Sequence, residues 1–158
     1  MEWIDLVRFG HVLGACVLIG TGTGIAFFML MAHRTADASF VARTAGVVVI
    51  ADMVFTATAA LAQPITGYIL MRYLGWSITE GWLAISLALY VFIGLFWLPV
   101  VYIQTKIRDE AKRSCQQGVA LSQRYQRLYR VWFACGIPAF SAIVLLLWLM
   151  VTRPPIIF

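Results

Sequence analysis

Apolar residues in this chain come in four long blocks, and short stretches between them hold most of the charged side chains. The blocks cover about residues 6–32, 46–73, 82–103 and 131–152, each at least as long as the roughly 20 residues that an α-helix needs to cross a bilayer. Their apolar residues are not spaced at a period that would hide them inside a soluble globule. The pattern predicts an all-α polytopic membrane protein, an antiparallel four-helix transmembrane bundle, with residues 1–158 forming a single transmembrane domain.

The polar stretches between the blocks predict how the helices are connected. Residues 35–43 are predicted to be a short polar connection, which makes the first two spans antiparallel neighbours. Residues 104–130 are predicted to form a helical hairpin outside the membrane, in which span three continues to about Gln116 and the chain turns at Gly118 before a helix that starts near Ala120. The last span is expected to stop at Arg153, where two prolines follow.

Composition and charge support a membrane protein and predict its orientation. Hydrophobic residues make up 62% of the chain and charged residues 12%, with a net charge of +5. Basic residues concentrate in the connections after spans one and three, which the positive-inside rule assigns to the cytoplasm. We therefore expect a bacterial inner-membrane protein with both termini outside, whose basic residues face lipid headgroups of the bilayer; nucleic acid is a poorer partner. The basic residues of these two connections are Arg34, Arg43, Lys106, Arg108, Lys112, Arg113, Arg124, Arg127 and Arg130.

The first block carries both histidines of the protein, His11 and His33, on the same helical face. At 1.5 Å per residue they are roughly 33 Å apart, so they cannot bind the same metal ion. His11 is flanked by Gly10 and Gly14, imidazole is a common metal and haem-iron ligand, and glycines leave room for a flat macrocycle. His11 is therefore a candidate metal ligand, and the alternative is an interfacial histidine that bonds a neighbouring carbonyl.

The second block is the most polar of the four. An α-helical period puts four of its residues within about 60° of one face, and Gln63-Pro64 removes one backbone hydrogen bond near mid-membrane. Gln63 could bond to a cofactor site, and Gly67 would let another group approach closely. Met71 could provide a second axial ligand at the level of His11. The four residues of this face are Asp52, Thr56, Gln63 and Gly67.

Three titratable residues are candidates for chemistry near the cytoplasmic surface: Asp52, Arg130 and His33. A carboxylate at membrane depth costs about 2.5–3.5 kcal/mol on insertion scales, so Asp52 should face the bundle interior and have a partner. An ion pair with Arg130 would lower the cost of burying both groups. This pair could act as a structural clamp, as a proton relay or as an anchor for an anionic group. His33 could instead be a solvated histidine at the end of its helix.

Parts of the chain resemble known membrane protein families. Three segments together resemble a bacterial family of predicted integral membrane proteins of unknown function: His11 to Arg34, A-D-M-V-F-T-A-T-A-A-L-A-Q-P-I-T-G (51–67) and W-L-P-V-V-Y-I-Q (97–104).

More distantly, the outline is similar to CopD-like membrane proteins and to the HemJ-type protoporphyrinogen oxidases, four-helix membrane proteins that bind haem b. HemJ proteins have a lysine in helix three, where this chain has apolar residues and Ser86 after Trp82, so the resemblance implies the fold and a haem-type site rather than porphyrinogen oxidation. The HemJ-like positions are His11, His33, Arg130, Pro138 and Arg153-Pro154.

Two hypotheses from different classes follow. The first is a redox-active protein that binds haem b through His11, with a quinone or a porphyrin-like molecule as partner; Gly10, Gly14 and Gly67 would make room for the ring, and Arg130 would hold a propionate. The second is a membrane component without a cofactor and without enzymatic activity, related to transport or stabilising a complex. A homodimer is compatible with both, because glycine pairs at spacing four favour helix packing. Copper handling, by analogy with CopD-like proteins, ranks last.

Overall fold

Four long helices account for nearly all of residues 2–156, the part of the chain that the computed structural model describes. Helix α1 is Trp3–Thr35, α2 is Ala38–Tyr73, α3 is Gly81–Gln117 and α4 is Gln123–Thr152. Each is long and apolar enough to cross a membrane, and the described residues contain no strand. The predicted all-α four-helix membrane bundle is confirmed.

Large apolar side chains cover the outside of the bundle. The exposed fractions of Leu61, Leu95 and Val151 reach 71%, 65% and 74%. In water such a surface would drive aggregation, whereas the acyl chains of a bilayer solvate it. The outer faces of the helices are therefore suited to lipid.

The turn between α1 and α2 is much shorter than residues 35–43, so this predicted connection is wrong. Ala36 ends α1 in the left-handed conformation at φ 55°, and the Asp37 side chain then accepts a hydrogen bond from the Ser39 amide at 2.8 Å. This cap satisfies a free amide of the first turn, so that α2 begins at Ala38, eight residues before the apolar block. The end of the bundle with this turn and the α3–α4 turn is called the basic end; the opposite end is the terminal end.

The turn between α3 and α4 lies close to its predicted position. Helix α3 continues through Gln117, and Gly118 ends it at φ 63°, a left-handed conformation that glycine adopts at little cost. Helix α4 begins at Gln123 rather than near Ala120, because the Ser122 hydroxyl accepts a hydrogen bond from the Tyr125 amide at 3.1 Å and fixes the first turn there.

Helix α2 contains one wide, π-helical turn at Asp52–Thr56. A π-helical turn contains more residues than an α-helical turn. The residues after it are therefore rotated about the helix axis, away from the positions that a regular α-helix would give them. Asp52 consequently faces α3, whereas Gln63 faces α1. The single polar face predicted for α2 is divided between two neighbours.

The main hydrophobic core lies at the basic end, where all four helices contribute to it. There α2 packs on both α1 and α3, and α4 packs on α3. The core includes three large aromatic side chains of α4 and small residues of α1 and α2, which let the helices approach closely. Its buried members are Ile25, Met29, Ala32, Val41, Ala42, Ala45, Val48, Val100, Ile107, Ala111, Tyr125, Tyr129 and Trp132.

Toward the terminal end, the closest packing joins helices in two pairs. The C-terminal half of α2 packs on α1, and α3 packs on α4. The Tyr90 side chain of α3 reaches across to α2, where its hydroxyl donates a hydrogen bond to the carbonyl of Ala60. The α1–α2 pair carries His11 and its neighbours.

Candidate functional site

His11 is held at the interface of α1 and α2 by a hydrogen bond to Thr66. The His11 Nδ1 atom lies 2.8 Å from the Thr66 hydroxyl oxygen, and that oxygen lies 2.8 Å from the carbonyl oxygen of Ala62 in the preceding helical turn. The Thr66 hydroxyl oxygen also lies 3.2 Å from the Gln63 carbonyl oxygen, and both carbonyls can only accept. We assign the single hydroxyl hydrogen of Thr66 to the shorter Ala62 contact; in this assignment His11 donates through Nδ1, and its Nε2 atom carries the lone pair.

Gln63 and two glycines complete the surroundings of His11. The Gln63 side-chain amide donates to the His11 backbone carbonyl at 2.8 Å. A β-carbon at Gly14 would overlap the Gln63 amide, and a β-carbon at Gly67 would lie 3.3 Å from the His11 ring. These glycines let the side chains of the opposite helix approach. We call His11, Gly14, Gln63, Thr66 and Gly67 the His11 cluster.

The structure brings together four of the residues that the sequence assigned to a cofactor site: His11, Gly14, Gln63 and Gly67. The role predicted for Gly14 and Gly67 needs correction, because the space that they leave is filled by Gln63 and by His11 itself. Gly10 differs, since a β-carbon there would meet no atom within 4 Å. Thr66 was missed, although it directly precedes Gly67 and is a hydroxyl residue at membrane depth.

Asp52 forms a second polar site, near the basic end. Its side chain is only 3% exposed. Trp97 donates through its indole nitrogen to Asp52 Oδ1 at 3.3 Å. In the Gln104 side-chain orientation that satisfies both of its neighbours, the amide nitrogen donates to Asp52 Oδ2 at 3.2 Å and the amide oxygen accepts from the Trp132 indole nitrogen at 3.2 Å. We call these four residues the Asp52 network; it connects α2, α3 and α4 through groups that would otherwise be unsatisfied in lipid.

Arg130 takes no part in the Asp52 network, so the predicted Asp52–Arg130 ion pair is wrong. Its side chain is exposed and bonds to the carbonyl of Gln126, one turn earlier in the same helix, at 3.4 Å. Trp132, not Arg130, is the residue of α4 that turns inward toward Gln104. Arg130 and His11 also lie near opposite ends of the bundle, so Arg130 is not part of the His11 cluster.

His33 packs against two tyrosines at the basic end, outside the apolar blocks. Its imidazole stacks on the Tyr129 ring with centroids 3.7 Å apart, and its Nδ1 atom lies 3.1 Å from the Tyr125 hydroxyl. Burial lowers the pKa of His33 below its ordinary value and raises the pKa of Tyr125. The predicted solvated histidine is thus partly enclosed. Tyr129 also approaches Trp132, with ring centroids 5.9 Å apart, which connects this aromatic stack to the Asp52 network.

The His11 cluster contains one side chain that could ligate a metal, the imidazole of His11. Within residues 2–156, no three His, Cys, Asp or Glu side chains come together as metal ligands. His11 is half-buried, with Nδ1 engaged and no described hydrogen bond at Nε2. A histidine that donates one ring nitrogen to a fixed acceptor and keeps the other free has the arrangement of a ligand with outer-shell support.

Comparison with known proteins agrees with the bundle and names no activity. No curated protein and no solved structure matches the chain. The sequence model of a family described as "Predicted integral membrane protein (DUF2269)" matches residues 5–154, which include all four helices except Trp3 and Ile4 of α1. The chain therefore belongs to this family of predicted integral membrane proteins.

Proposed function

We propose that this protein binds haem b in the bacterial inner membrane, with Nε2 of His11 as an axial ligand. The observation that carries the proposal is the pair of hydrogen bonds at Thr66. Because the Thr66 hydroxyl donates to the Ala62 carbonyl, it can only accept from His11, which leaves the lone pair of Nε2 available for iron. Bound haem would supply one-electron redox chemistry.

The residues around His11 would orient the ligand rather than line the ring. Gln63 donates a hydrogen bond to the backbone carbonyl of His11. The absence of a side chain at Gly67 lets the edge of the imidazole pack close to the α2 backbone. The bond to Thr66 and the contact with Gly67 restrict the rotation of the His11 side chain, so little conformational entropy would be lost on iron binding. Gly10 is the glycine beside His11 that leaves open space. Met71, one turn beyond Gly67 on α2, is the candidate for a second axial ligand.

The electron partner would be a molecule that travels in lipid, such as a quinone or a porphyrin-like compound. Nearly all of the described chain is helix of membrane-spanning length, so a partner dissolved in the bilayer could reach most of its surface. By the positive-inside rule, the basic end would face the cytoplasm. There the Asp52 network and the His33 stack supply hydrogen-bonding groups that could serve a proton or a quinone head group.

Absorption spectra of the purified protein test the proposal. Wild type should show a Soret band and, after dithionite reduction, sharp α and β bands. His11→Ala should lose these bands, whereas the matched control His33→Ala should keep them, because His33 lies at the other end of the same helix. A wild type that stays colourless after haem is supplied, yet is well folded, would refute haem binding and favour a component without a cofactor.

A further inference from the structure

A groove of about 770 Å³ runs along the surface of the basic end between α2 and α3. Arg43, Gly46, Val47 and Ile50 of α2 line one side, and Lys112 of α3 lines the other. The groove is distinct from the His11 cluster, which lies toward the terminal end on the opposite half of α2.

The lining changes from basic to apolar along α2. Arg43 precedes the apolar block that starts near residue 46, and Lys112 lies in the part of α3 that continues beyond span three. Val47 and Ile50 lie inside the apolar block and are 67% and 63% exposed. This order matches a phospholipid in a bilayer, whose charged head group lies at the membrane surface and whose acyl chains lie in the membrane interior.

Both cations of the groove lack a carboxylate partner. Elsewhere at the basic end, Arg113 and Arg124 pair with Glu110, and Arg108 pairs with Asp109. Within residues 2–156, no ion pair involves Arg43 or Lys112. The groove therefore presents uncompensated positive charge at its polar end, which complements an anion rather than a neutral head group.

We propose that this groove binds an anionic phospholipid. Arg43 and Lys112 contact the phosphate, and one acyl chain lies along Gly46, Val47 and Ile50. Gly46 has a specific part in this site, because a β-carbon there would meet no atom within 4 Å and the chain can lie directly against the backbone. The inference is independent of haem binding.

Native mass spectrometry of the detergent-purified full chain tests the charge of the site. The probes are phosphatidylglycerol and phosphatidylcholine with identical acyl chains. Wild type should retain one phosphatidylglycerol in preference to phosphatidylcholine, and Arg43→Gln with Lys112→Gln should lose the preference, by roughly fivefold in affinity for each cation. Arg127→Gln with Arg130→Gln removes the same charge from exposed positions of α4 that form no ion pair within residues 2–156, and should keep the preference. An equal loss in both double variants would overturn the proposal.

Filling the groove tests the acyl-chain contact without changing the charge. Gly46→Leu should reduce retention of both lipids, whereas Gly94→Leu, at a helical glycine of α3 with equally open space, should not. Inorganic phosphate in excess should leave the bound lipid in place, because the acyl chain contributes to binding. Displacement by phosphate alone would assign the cations to a free anion. A change of oligomeric state in Gly46→Leu with unchanged lipid retention would assign the groove to a second copy of the chain; either result overturns the proposal.

Discussion

The Tyr90 hydroxyl donates a hydrogen bond to the carbonyl of Ala60, the backbone oxygen that Pro64 leaves without its helical donor. Proline lacks an amide hydrogen, so the carbonyl four residues earlier loses its bond in an otherwise continuous helix. In a bilayer core no water replaces that bond. Tyr90 supplies it from α3, and the same bond joins the two helix pairs of the terminal end.

This relationship predicts a coupling between Tyr90 and Pro64. Tyr90→Phe should lower the free energy of unfolding by about 1 kcal/mol in mixed micelles, because a buried carbonyl is left without a donor. In a Pro64→Ala background the cost should be much smaller, since residue 64 then has an amide hydrogen for Ala60. Tyr102→Phe is the control, as Tyr102 is 63% exposed. Equal costs for Tyr90→Phe in both backgrounds would contradict the assignment.

The Asp52 network predicts unequal costs for its members. Gln104→Leu leaves both Asp52 Oδ2 and the Trp132 indole nitrogen without partners, whereas Trp97→Phe removes only the bond to Oδ1. Gln104→Leu should therefore destabilise the protein by about 2 kcal/mol or more, and Trp97→Phe by about 1 kcal/mol. Unfolding titrations in mixed micelles measure both. If Gln104→Leu costs less than Trp97→Phe, then Gln104 does not bridge Asp52 and Trp132.

The His33 stack predicts a pH-dependent stability. Burial lowers the pKa of His33 in the folded protein below 6.5, so the unfolded chain binds the proton more tightly. The contribution of neutral His33 to the free energy of unfolding is fully present above pH 6.5 and is lost as the pH falls below that value. Between about pH 7.5 and about pH 5.5 the unfolding midpoint of wild type should decrease. His33→Phe preserves a stacking ring without a titrating group and should decrease less; an identical pH dependence would exclude His33 as its source.

Thr66 is predicted to set the tautomer of His11. Nitrogen NMR of histidine-labelled protein without added haem should find His11 protonated at Nδ1. Thr66→Ser keeps the acceptor and should preserve this tautomer, whereas Thr66→Val should shift the population toward Nε2 protonation. If haem binds, Thr66→Val should also weaken its affinity by about 10-fold or more. A His11 already protonated at Nε2 in wild type would contradict the hydrogen-bond assignment.

The fold was predictable because lipid leaves few alternatives. Four apolar blocks of this length favour helices, since a helix satisfies every backbone group within its own segment. The start of α2 was missed because Ser39 to Thr44 includes polar and charged residues and does not look like a membrane span. It is helical because Asp37 caps it and its buried face packs in the core of the basic end.

The candidate site was predictable in part. Histidine, glutamine and glycines at helical spacing indicated where two helices would meet, and four of these residues do meet. The sequence could not show which group each glycine admits, because that depends on the rotation of the opposite helix. The wide turn at Asp52–Thr56 could not be predicted either, because the sequence-based prediction assumed a regular α-helical period throughout α2. Arg130 is separated from Asp52 because it lies on the exposed side of α4, whereas Trp132 lies on the buried side.

Chemical rescue of His11→Gly is the most direct test of the central claim that His11 ligates haem. The variant removes the imidazole but leaves Thr66 and Gln63 in position. Haem-supplemented His11→Gly should lack the wild-type spectrum, and added imidazole should restore it by occupying the vacated position. His33→Gly should have the wild-type spectrum without imidazole. If His11→Gly retains the bands of wild type, or if imidazole changes nothing while wild type binds haem, another residue holds the iron.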